Sequence, residues 1–166
     1  MSFSFIKKIF DEINKLNKDV EVYKSVVKNP YLPSVAYVNW GIHFASSGDF
    51  EEAEKKFNCS ANMAHKTPDA YINLGILKIK EKEHEKAVEY FLQALKMDNN
   101  NSKAYCFLAN SQTELNNYEE AEKNFKFANK IDPNNSDIIL NWGLSWIRQK
   151  KFLKAGEKFE EAYKLN

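Results

Sequence analysis

The sequence is organised by a step of 34 residues. Gly41, Gly75, Ala109 and Gly143 stand on that step, and so do Ala53, Ala87, Ala121 and Ala155. An aromatic register follows, Phe57, Phe91, Phe125 and Phe159, with the small residues Ser60, Ala94, Ala128 and Ala162 three positions later. Tyr37, Tyr71, Tyr105 and Ile139 lie four before the first small residue, and Trp40, Leu74, Leu108 and Trp142 immediately precede it. Chance does not hold six positions in one phase four times over. Such a period marks a short unit that cannot bury its apolar face alone and must stack on its neighbours.

Each unit contains two helices. In the first, apolar residues at spacings of three and four define one face, and the small residue lets a second helix approach closely. The second helix opens at Phe50-Glu51-Glu52-Ala53, His84-Glu85-Lys86-Ala87, Tyr118-Glu119-Glu120-Ala121 and Phe152-Leu153-Lys154-Ala155. Glutamate in the first turn of three of these favours the helix dipole. Ser46-Ser47-Gly48-Asp49 and Asn116-Asn117 supply turns between the helices, whereas Glu81-Lys82-Glu83 and Gln149-Lys150-Lys151 carry weaker turn signals. The joints Thr67-Pro68-Asp69, Asp98 to Ser102 and Asp132 to Ser136 stop one helix, and their Ser or Asp can cap the next.

These registers resemble the tetratricopeptide repeat, whose pattern is W-x2-L-G-x2-Y, then A-x3-F, then P. Repeat one matches with Tyr37, Trp40-Gly41, Phe44, Ala53 and Phe57, and repeat four with Trp142-Gly143, Trp146, Ala155 and Phe159. The late aromatic of the first helix is replaced by Lys78 and Gln112 in repeats two and three, and the terminal Pro by His65 and Asn99 in repeats one and two. The expected fold is therefore all-α, a right-handed superhelical solenoid of antiparallel helix pairs with an N-terminal helix. The expected domains are a capping helix and linker over 1–33 and repeats over 34–67, 68–101, 102–135 and 136–166.

In this family the first helices line a concave groove that accepts a peptide or a partner helix. The resemblance places Val35, Val38, Asn39, Ile42 and Ser46 of repeat one in that groove, with Asp69, Ile72, Asn73, Ile76 and Lys80 of repeat two. Lys103, Cys106, Phe107, Asn110 and Glu114 follow from repeat three, then Asp137, Leu140, Asn141, Leu144 and Arg148 from repeat four. Asn39, Asn73 and Asn141 share one position, and an amide there can hold a peptide backbone through both its donor and its acceptor. It is equally a common family residue. Val38, Ile42, Ile72, Ile76, Leu140, Leu144 and Ile147 form an apolar column that suits an amphipathic ligand or tighter packing between first helices. The family's clamp for acidic chaperone C-termini is not expected, because Val38 and Ile42 replace its first Lys and Asn and Phe107 replaces its Arg.

The first 33 residues carry a stripe of their own: Ile6, Ile13, Val20 and Val27 are seven apart, and Ile9, Leu16 and Tyr23 fall three after the first three. A helix that caps repeat one is the ordinary reading. Dimerisation, docking in the protein's own groove and weak membrane contact through the leading aromatics are the alternatives. At the other end no further helix follows to cover Trp142 and Trp146, which suggests a longer protein or a partner there.

Composition narrows the function further. Twenty-four basic side chains meet 23 acidic ones, and Arg148 is the only arginine, so neither a charged field nor guanidinium forks favour nucleic acid. Cys59 and Cys106 make no disulfide framework or ligand spacing, which fits a reducing, cytoplasmic setting. His43, His65 and His84 fall at unrelated positions with no nucleophile or carboxylate at catalytic spacing. The expectation is a non-catalytic protein-interaction scaffold with a protein or peptide ligand, no cofactor, no metal, no nucleic acid and no membrane. A self-assembling module, a homodimer through the N-terminal helix or an oligomer that also uses the last repeat, is the alternative.

Overall fold

The computed structural model describes Glu21, residues 33–63 and residues 66–165. The leading stripe from Ile6 to Val27, and His65 at the first repeat joint, lie outside the described residues. Among the described residues eight helices follow in order: α1 (Pro33–Ser46), α2 (Phe50–Ala61), α3 (Pro68–Lys80), α4 (His84–Met97), α5 (Ser102–Glu114), α6 (Tyr118–Ile131), α7 (Ser136–Arg148) and α8 (Phe152–Lys164). No strand occurs among the described residues. The all-α helical-repeat fold expected from the 34-residue step is the one observed.

The chain divides into two compact units, Met1–Thr67 and Pro68–Asn166. In the first, α1 and α2 form one hairpin. In the second, α3–α4, α5–α6 and α7–α8 form three hairpins, with α5 packed on α4 and α3, and α7 packed on α6 and α5.

Every hairpin is closed by an aromatic ring against the small residue of its first helix. A Cβ built on Gly75 would stand 2.6 Å from Phe91 Cε1, and one on Gly143 would stand 2.5 Å from Phe159 Cε1. Gly41 meets Phe57 in the same way. Repeat three tolerates Ala109 at this position, and both Ala109 and Phe125 are 0% exposed. Burying such a ring removes roughly 150–250 Å² from water, so this contact anchors the core of each pair.

The turns inside the hairpins share one backbone solution. Gly48, Lys82, Asn116 and Lys150 all have positive φ, between 59° and 87°. The following N–H donates to the carbonyl five residues back in each case: Asp49 to Phe44, Glu83 to Lys78, Asn117 to Gln112 and Lys151 to Trp146, at 2.8–2.9 Å. This is the Schellman closure of a helix C-terminus. It explains why Lys82 and Lys150 turn the chain despite weak local signals: two orphan carbonyls are satisfied in exchange for the left-handed residue.

Caps at the joints differ from the expected Ser or Asp. Asn101 accepts from the Ala104 N–H at 3.0 Å and Asn135 from the Asp137 N–H at 3.2 Å, while Ser102 and Ser136 are already inside their helices. Asp49 caps α2 by accepting from Glu52 N–H at 3.1 Å.

The expectation that Trp142 and Trp146 stand uncovered is corrected. They are 7% and 8% exposed, in a cluster with Phe125 and Ala155. Lysines of α8 cover them, with Lys158 Nζ 4.2 Å from the Trp142 ring centre and Lys154 Nζ 4.3 Å from that of Trp146. The indoles are therefore sealed within their own hairpin and its neighbour. The replacement residue Lys78 is buried as well, and its ammonium pairs with Glu81 at 2.8 Å.

Gly75→Leu should lower stability by about 3 kcal/mol, because a branched side chain must displace the Phe91 ring. Gly48→Ala should cost about 1 kcal/mol, since its φ of 87° lies in the left-handed region. Urea unfolding followed by circular dichroism measures both.

Candidate functional site

Within the second unit the first helices α3, α5 and α7 leave a cavity of about 480 Å³. Ile79 and His84 border it from repeat two, Phe107, Asn110, Thr113 and Glu114 from α5, and Asn141, Leu144, Ile147 and Arg148 from α7. Buried Ser111 and Ser145 complete the lining.

Helix geometry brings these side chains together, because positions 107, 110, 111 and 114 of α5 fall on one face, as do 141, 144, 145 and 148 of α7. Two amides then bridge the helices: Asn110 Nδ2 donates to Asn141 Oδ1 at 3.3 Å. Asn141 Nδ2 donates in turn to the Asp137 carbonyl at 2.7 Å, which fixes its rotamer. Asn73 is held likewise, donating to the Asp69 carbonyl at 2.8 Å. Below them Thr113 and Ser145 share a hydroxyl contact of 2.8 Å, and Thr113 Oγ1 donates to the Ala109 carbonyl at 2.9 Å. At one end Arg148 Nη2 pairs with Glu114 Oε1 at 2.6 Å. Both partners of this ion pair are substantially exposed, so it contributes little stability and leaves the guanidinium available to compete for another carboxylate. The His84 Nδ1 atom is buried without a hydrogen-bond partner.

The cavity thus combines apolar walls with two pre-positioned amides and one cation. Asn110 keeps its carbonyl oxygen, and Asn141 one amide hydrogen, for a ligand. No group of three or more His, Cys, Asp or Glu that could hold a metal occurs among the described residues. No helix among them is long and apolar enough to cross a membrane.

Of the groove residues expected from sequence, Phe107, Asn110, Glu114, Asn141, Leu144 and Arg148 line this cavity. Asp69, Lys80 and Lys103 are exposed outside it, and Asn73 and Ile76 are half-buried outside it. Asn39 and Ile42 are exposed on α1 in the first unit. Val38, Ile72 and Cys106 require correction: at 5%, 1% and 7% exposed they are core residues. Ile72 packs with Phe91, Ala104 and Leu108 because α5 lies over it. Ile79 and His84 were not among the expected groove residues. Ile79 shares a register with Thr113 and Ile147, so the repeat step could have found it. His84 enters from the first position of a second helix, a register it shares with Phe50, Tyr118 and Phe152, and a groove drawn from first helices alone does not include it.

Cys106 is buried, and that burial, with the Asp137 charge as the smaller cause, pushes its thiol up to about 12. It is an inert core residue.

Models of the tetratricopeptide repeat match residues 33–100 and residues 78–138. The chain belongs to the tetratricopeptide repeat family. No curated protein matches this member of the family in sequence. Its fold is similar to that in the crystal structure of MamA, with 16% identity and a TM-score of 0.74 over 99% of this chain and 95% of that one. A structure of MamA from residue 41 to its end, from Desulfovibrio magneticus RS-1, is similar at 16% identity and a TM-score of 0.73, covering 98% and 93% of the two chains. YrrB, a tetratricopeptide repeat protein with an unusual peptide-binding site, is similar at 19% identity and a TM-score of 0.70, covering 96% and 82%.

Native protein at pH 8 should react with a thiol-specific disulfide reagent at Cys59, which is exposed, and not at Cys106. Unfolding in guanidinium should release the second thiol, read as a doubling of the colour yield.

Proposed function

We propose that this tetratricopeptide repeat protein is a non-catalytic interaction scaffold that holds a peptide or a partner helix in the cavity between α3, α5 and α7. The observation that carries this reading is the Asn110–Asn141 amide pair set beside Phe107, Leu144 and Ile147 in a space of about 480 Å³. Amides of this kind hold a backbone while the apolar walls take one or two side chains. The peptide-binding site of YrrB, a protein of the same fold, is in keeping with it.

Affinity capture from the native cell supplies a partner, and titration calorimetry on variants tests the site. Asn110→Ala should weaken binding by about 0.5–1.5 kcal/mol. Leu144→Asp should weaken it more, because it sets an unpaired charge against the ligand's apolar anchor. Lys55→Ala, on α2, should bind as the wild type does. Equal affinity for all four proteins would move the binding surface away from this cavity.

A second reading, self-assembly, is supported by the exposed apolar side chains of the last hairpin: Leu140, Leu144 and Ile147 on α7, and Phe152, Leu153 and Tyr163 on α8. Sedimentation across a dilution series separates the two, since a scaffold alone stays monomeric.

A further inference from the structure

A second cavity of about 390 Å³ lies on the other side of α5, away from the site described above. Leu92, Leu95 and Lys96 of α4 form one wall, Leu108 and Gln112 of α5 form the floor, and Asn124 of α6 closes the far side. The repeat step explains why it is open. Thirty-four residues after Leu108 and Gln112 stand Trp142 and Trp146, whose indoles pack among Ala121, Phe125 and Ala155. Repeat three has the same backbone frame and lacks both indoles. In their place Gln112 Oε1 accepts from Asn124 Nδ2 at 2.7 Å, a hydrogen bond that holds the two amides at the edge of the space.

The surroundings match an aromatic occupant. Leu92, 45% exposed, and Tyr105, whose ring stacks on Phe127 at 5.4 Å, complete an apolar border to the space. Lys96 supplies a cation at the rim. Elsewhere this chain repeatedly sets a lysine over an indole, Lys56 over Trp40 at 4.3 Å, Lys154 over Trp146 and Lys158 over Trp142. The amide oxygens of Gln112 and Asn124 are acceptors for an indole N–H.

We propose that this cavity is a docking site for a tryptophan side chain carried by a segment of a partner protein, separate from the site between the first helices. The incoming indole lies beside Gln112, where repeat four carries Trp146, against Leu92, Leu95 and Leu108, with Lys96 over its face.

The test uses the full chain and the blocked tripeptide acetyl-Gly-Trp-Gly-amide as probe, followed by methyl NMR. Binding of about millimolar strength should shift the methyl signals of Leu92, Leu95 and Leu108. Gln112→Trp should plug the cavity, raise the melting temperature and abolish the shifts. Leu92→Glu, at an exposed position that leaves the fold intact, should weaken the probe about ten-fold. Lys96→Met should weaken it about two- to five-fold through loss of the cation–π contact. The proposal is overturned if no methyl moves at about 10 mM probe. It is equally overturned if the shifts map to Leu144 and Ile147, if Leu92→Glu binds as well as wild type, or if acetyl-Gly-Leu-Gly-amide binds as tightly.

Discussion

The contact between a phenylalanine ring and a glycine or alanine on the facing helix is what the rest of this molecule depends on. Phe91 over Gly75 and Phe159 over Gly143 stand where a Cβ at the glycine would meet the ring, and Phe125 closes the same contact on the smallest side chain, Ala109. That closeness turns the remaining apolar residues of each first helix outward, toward the next pair. Tyr71, Ile76 and Ile79 of α3 are thereby presented to the helix that follows, and Phe107 of α5 stacks on Phe91 at 5.7 Å. Stacking of pairs is then a consequence of how each pair closes.

Polar groups between the first helices act within that frame. Asn110, Asn141, Thr113 and Ser145 make contacts between helices that are already apposed, and Asn141 and Thr113 each also donate to a carbonyl of their own helix, which fixes the rotamer. An amide locked in this way loses little conformational freedom when a ligand arrives, which favours binding over an unconstrained side chain. The ion pair of Arg148 and Glu114 sits at the exposed end, where solvent screens it and a ligand can replace either partner.

Lysine serves in two unrelated capacities. At 82 and 150 it occupies left-handed turns, where the closing hydrogen bonds outweigh a local conformational cost of about 1–2 kcal/mol. At 56, 154 and 158 its ammonium lies over an indole, sealing large rings at the edge of the core while the charge stays near water.

The fold was legible because a period of 34 residues carries the closing contact directly: Gly, Ala and Phe recur in phase, and their spacing is the geometry of the hairpin. The candidate site was legible only in part. Phe107, Asn110, Asn141, Leu144 and Arg148 could be placed from their register, since helical spacing alone sets them on one face. Ile72, Cys106 and Leu140 share one register, yet the first two are buried and Leu140 is 43% exposed. Sequence position determines which way a side chain leaves its helix, and only tertiary packing decides whether another helix lies on top of it. The same reason hid His84, which reaches the cavity from a different element, and hid the space beside Gln112, which exists because two neighbouring hairpins hold their separation whether or not an indole fills it.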